Sequence, residues 1–107
     1  MRVTYLSLAV WDLVEIRSYI AAHDPDAAQQ VGRRLAQLMN GLSKMPGLGK
    51  PGRVFGTREL VTPRIGKTTY IVVYRVKSDR IEILRVLPGI KCQKFASKSF
   101  PIRKAMS

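Results

Sequence analysis

Apolar residues in the first half of the chain recur every three or four positions, whereas in the second half they alternate or form short unbroken runs. The change falls at M-P-G-L-G-K-P-G, residues 45–52, where two prolines and three glycines are expected to forbid a regular element. Ahead of that break, Ala9, Leu13, Ile16 and Ile20 make one helical stripe, with Asp12, Glu15 and Arg17 off it. Ser7 stands where the helix would be capped. Asp24-Pro25 then restarts the pattern, because Asp accepts free amides and Pro is pre-set for the first helical position. Ala28, Val31, Leu35, Leu38 and Leu42 carry a second helix to about Lys44. The short H-D-P link predicts an antiparallel helical hairpin, and Arg2 to Leu6 a short strand before it.

Beyond the break, Phe55 to Thr62, Thr69 to Val76 and Ile81 to Leu87 read as three strands joined by T-P-R-I-G-K and K-S-D-R. Y-I-V-V-Y-R-V and I-E-I-L-R-V-L are nearly continuous in apolar residues, as strands covered on both faces would be. The order predicts an α+β fold, with a short N-terminal strand and a helical hairpin packed on a small antiparallel sheet. With 107 residues the chain is read as one domain over residues 1–91. Residues 92–107 form a basic tail, with isolated Phe95, Phe100 and Ile102, expected to fray or to need a partner for order.

Charge changes this picture. The net charge is +12, and its placement is uneven. Residues 1–45 hold five basic and four acidic side chains, a net +1, while residues 46–107 hold fourteen basic and three acidic ones, a net +11. A basic face of this kind attracts nucleic acid or an acidic protein. Cys92 is the only cysteine, which excludes an intrachain disulfide and a Cys-based zinc site. No apolar run is long enough to cross a bilayer, and Asp12 interrupts the N-terminal run before a signal-peptide core is complete, so a cytosolic protein is expected.

Three arginines interrupt the strands. Simple alternation puts Arg58 on the face of Leu60, Arg75 on that of Ile71 and Val73, and Arg85 on that of Ile81 and Ile83. Buried unpaired, each would cost several kcal/mol, so each must lie at a rim, pair with an acid, or face a partner. Glu59 and Glu82 are the only acids within the strands, and two cannot neutralise three. No Ser/His/Asp set, paired carboxylates or phosphate loop is present, no metal or cofactor is expected, and His23 reads as an exposed connector. A nuclease would have to use Arg and Lys to stabilise phosphorane charge and Tyr70 or Tyr74 to move the proton.

Five segments together resemble a known superfamily. They are A-V-W-D-L-V-E-I-R-S-Y-I-A at 9–21, D-P-D-A-A at 24–28, G-T-R-E-L-V at 56–61, Y-I-V-V-Y-R-V at 70–76 and I-L-R-V-L at 83–87. Their order resembles the RelE/ParE toxins of type II toxin-antitoxin systems, over roughly residues 3 to 91. The resemblance implies a helical hairpin on a small antiparallel sheet. It also implies one of two activities, since RelE-like members cut mRNA on the ribosome and ParE-like members poison DNA gyrase. G-T-R-E-L-V followed by Y-x-x-x-Y-R-V is closer to the ParE-like branch, and Ile71 stands where a RelE-type catalytic arginine would be. Pro88 and Lys91 replace a His and an Arg frequent in the family.

On the gyrase reading, target contacts would come from Arg58, Arg75, Arg85 and Lys91. On the mRNA-cleaving reading, the working set would be Tyr70, Tyr74, Arg75, Arg85 and Lys91. Either way the resemblance implies a small acidic antitoxin, ParD-like or related, in a hetero-oligomeric complex with no membrane involvement. Trp11, Tyr19 and Arg58 are its expected contacts. Charge alone leaves a third reading open, a basic nucleic-acid-binding module without toxicity.

Overall fold

The computed structural model describes residues 1–89. Lys91 and the basic tail lie outside the described residues. The elements run β1 (Arg2–Tyr5), α1 (Ser7–Ala21), α2 (Pro25–Gly41), β2 (Lys50–Pro51), β3 (Arg58–Val61), β4 (Tyr70–Val76) and β5 (Arg80–Pro88). They form one five-stranded sheet in the order β1-β5-β4-β3-β2, with α1 and α2 packed against each other and α1 against β5.

The helical hairpin follows from its sequence pattern. Ala9, Ile16, Val31, Leu35, Met39 and Leu42 are buried in one cluster with Tyr70, Val72, Tyr74, Ile81, Ile83 and Val86 of the sheet, and Leu13, Ile20 and Leu38 pack on it. Asp24 caps α2 as the sequence suggests, its Oδ1 accepting from the Ala27 N–H at 3.1 Å. The start of α1 is different. Leu6, rather than Ser7, is the capping residue and has no side-chain bond to give. Instead the Leu6 N–H donates to the Ile83 carbonyl at 3.0 Å, and its own carbonyl receives the Val10 N–H, so the sheet launches the helix.

Strands β3 to β5 form the expected antiparallel meander, but β1 joins β5 in parallel, making the sheet mixed. Parallel neighbours need a long crossover, and the two helices supply it. The glycine- and proline-rich break also holds a short strand after all. Lys50 and Pro51 pair with Glu59 and Arg58 at the sheet's edge, where a proline's missing N–H costs no ladder bond. The next strand starts only at Arg58, because residues 52–57 form a turn with Gly56 at φ 86°, a conformation that glycine adopts without strain.

A bulge decides which way the last strand faces. Val73 pairs with Arg85 and Tyr74 with Ile83, so Leu84 is an extra residue in β5. Ile81, Ile83 and Val86 all reach the core, and Arg85 is turned to the opposite face from Ile81 and Ile83. The alternation read from sequence fails there for this reason.

Candidate functional site

Cross-strand pairing sorts the strand arginines. Arg58 lies opposite Tyr74 and shares the helix-covered face with Leu60. Arg75, opposite Glu82, and Arg85, opposite Val73, lie on the outer face with Ile71 and Glu59. The three strand arginines, grouped as target contacts on the gyrase reading, are therefore divided between the two faces.

Each arginine has structural partners. Arg85 makes a two-pronged bond to Asp12 of α1, Nε to Oδ2 at 2.8 Å and Nη2 to Oδ1 at 2.9 Å. Asp12 was expected off the buried stripe but is buried, and its Oδ2 also accepts the Val86 N–H at 2.9 Å. The reason is topological. β1 ends at Tyr5, opposite Ile83, and beyond that point β5 has no strand neighbour on that side among the described residues. The Asp12 carboxylate fills the place of the missing strand carbonyl. These bonds, led by the hydrogen bond to Asp12, push the Arg85 pKa up. Arg75 donates through Nε to Glu82 Oε1 at 2.6 Å, and Arg80 donates to the other oxygen at 3.1 Å. Hydrogen bonding from Arg75 is the main cause holding the Glu82 carboxyl below the ordinary value of 4.5.

Arg58 and Tyr74 serve the segment before β2. The Tyr74 hydroxyl donates to the Pro46 carbonyl at 2.7 Å and accepts from the Gly49 N–H at 2.8 Å. Arg58 Nη1 donates to the Gly49 carbonyl and reaches that of Gly47. Gly49 is required by this closeness, since a Cβ there would lie 2.8 Å from the Tyr74 oxygen and 3.0 Å from the Glu59 backbone. Tyr70 is buried, and burial pushes its phenol pKa up, away from use as a base at neutral pH. His23 is exposed in the helix link, 6.3 Å from the Tyr19 ring. Among the described residues no three His, Cys, Asp or Glu side chains gather as metal ligands would, and no helix is long and apolar enough to cross a membrane.

The uncovered surface lies elsewhere. α1 carries large apolar residues well beyond its buried stripe: Leu8, Val10, Trp11, Val14 and Tyr19 are exposed, Trp11 and Tyr19 each at 66%. Leu8, Trp11, Glu15 and Tyr19 step by three, four and four, so they share one side of the helix. Three large apolar side chains in water on one side of the helix, Leu8, Trp11 and Tyr19, mark a face suited to a partner. Sequence reasoning singled out Trp11 and Tyr19 but not Leu8. It also passed over Val54 and Phe55, which the turn before β3 holds in solvent.

Comparison with known proteins agrees with this fold. Residues 3–90 match the family described as ParE toxin of type II toxin-antitoxin system, parDE. A Sinorhizobium fredii (strain NBRC 101917 / NGR234) protein named "Putative toxin Y4kP" is 41% identical over 86 residues, covering 80% of this chain and 85% of that protein. A chain of the chromosomal ParDE TA system from P. aeruginosa superposes with a TM-score of 0.69 at 25% identity, covering 82% of this chain and 95% of the other. A YoeB dimer from Staphylococcus aureus gives a TM-score of 0.48 at 16% identity, covering 81% and 94%. With a family match spanning nearly the whole described region, the chain belongs to the ParE family of type II toxin-antitoxin toxins.

Proposed function

We propose that this ParE-family toxin arrests bacterial growth in the cytoplasm by poisoning DNA gyrase, and that an acidic antitoxin silences it by lying along α1. Against RNA cleavage stands one observation: among the described residues, the polar side chains such chemistry would use are engaged in the fold. Tyr74 makes two hydrogen bonds to the 46–49 segment, Arg75 and Arg85 are bound to carboxylates, and Ile71 offers no charge. A protein that does no bond-breaking of its own has no need of those groups free, which suits a poison that traps another enzyme's intermediate. In a mixture of purified toxin, gyrase, supercoiled DNA and ATP, cleaved DNA should accumulate. Unchanged gyrase output would overturn the reading, and codon-phased cuts in mRNA after induction would replace it with the endonuclease.

The antitoxin reading rests on the α1 face and on charge. Trp11 and Tyr19 lie about 12 Å apart along the helix, a spacing that one amphipathic segment can bridge with two anchors. The chain's +12 charge draws an acidic partner toward it. Trp11→Ala is expected to weaken binding to the protein encoded in the adjoining reading frame by about 30-fold, measured by calorimetry. Equal affinity would place the antitoxin on another surface.

A further inference from the structure

The turn before β3 is built more firmly than a connection requires. Gly52 N–H donates to the Thr57 carbonyl at 2.8 Å, and Thr57 returns both its N–H, at 3.0 Å, and its hydroxyl, at 2.6 Å, to the Val54 carbonyl. Glu59 Oε2 accepts from the Arg53 N–H at 3.2 Å and from its Nε at 3.4 Å. This bracing holds Val54 at 67% and Phe55 at 102% exposure. Full exposure forgoes the stabilisation that burying a Phe would contribute. A rigid tip, however, loses little conformational freedom when it docks, so an aromatic displayed in this way is pre-organised for a socket.

We propose that the Val54–Phe55 tip is the contact by which the toxin seizes its growth target, a protein with an apolar socket and an acidic rim. This rests on the toxin reading above and names a surface for it. Charge identifies the rim: Lys50 is exposed on β2, Arg53 flanks the tip, and Lys77 follows Val76, which lines a shallow depression with Pro51, Gly56, Thr57 and Arg58. Glu59 of β3 is bound to Arg53. A protein fits better than a nucleic acid, because a single aromatic beside a branched aliphatic offers no succession of stacking platforms. The surface is also separate from the antitoxin face. α1 packs on β5 near the β1 edge, whereas the tip joins β2 to β3 at the other edge.

The test is induction of the full-length toxin without antitoxin, as wild type, Phe55→Ala and Phe55→Leu. Phe55→Ala should require about 30-fold more toxin for the same growth arrest and Phe55→Leu less, with unfolding midpoints unchanged. Both variants should still co-purify with the protein from the adjoining reading frame. Full potency of Phe55→Ala, or loss of that co-purification, would overturn the assignment. So would quenching of Phe55→Trp fluorescence, in a Trp11→Phe background, by a mixed-sequence single-stranded oligonucleotide. A wild type that arrests no growth would instead refute the toxin reading, and this proposal with it.

Discussion

Asp12 receives three donors at once, two from Arg85 and one from the Val86 backbone, at the point where β5 loses its strand neighbour. Asp12→Ala leaves a partly buried guanidinium and a buried N–H without their acceptor, and is expected to lower stability by about 3 kcal/mol in urea denaturation. Asp12→Asn, which keeps one acceptor oxygen, should lose less. Tyr74→Phe removes only a hydroxyl, but strands the Gly49 N–H and the Pro46 carbonyl, with an expected loss of about 1 to 2 kcal/mol. Faster hydrogen exchange at Gly49 would accompany it, and an unchanged rate would show that the loop is held by other means. Both residues were visible in the sequence with different meanings. Asp12 read as a polar position off a stripe, because helical period cannot reveal that a strand ends beside it. Tyr74 read as a proton carrier, because nothing local indicates that residues 46–49 fold over its hydroxyl.

The helices and central strands were legible because each buries one continuous face against the rest, so period and burial coincide. Arg85 was misplaced by the single extra residue at Leu84, since one bulge inverts every later side chain and leaves no mark in composition. β2 was missed because its pairing is set by β3 rather than by its own residues. On the outer face, the Arg75–Glu82–Arg80 group makes a prediction about acid. The Glu82 carboxyl titrates lower in the folded chain than its ordinary 4.5, so its contribution is complete above that value and is lost as pH falls through the depressed folded pKa. Unfolding midpoints should therefore drop in the acid range below about 4.5, and Glu82→Gln should flatten that drop while leaving the profile near neutrality level. A slope identical in Glu82→Gln would assign acid lability to other carboxylates.

At the scale of the whole molecule, nineteen basic residues against seven acidic ones set how the toxin meets other molecules before any side chain fits. Association with the antitoxin proposed above, if driven by this charge, should slow by about tenfold or more between low and high salt in stopped-flow measurements, with dissociation changing much less. The clasp between Asp12 and Val86 has another effect, on timing. Its two ends are 74 residues apart, and β1 likewise has no partner until β5 exists. At about 5–20 residues per second, the ribosome takes roughly 4 to 15 seconds to make the intervening chain. During that interval the first strand and the apolar helix cannot close on the sheet they belong to. The sheet and the clasp can therefore close only when nearly all of the described chain has been made, which confines the final folding step to the end of synthesis.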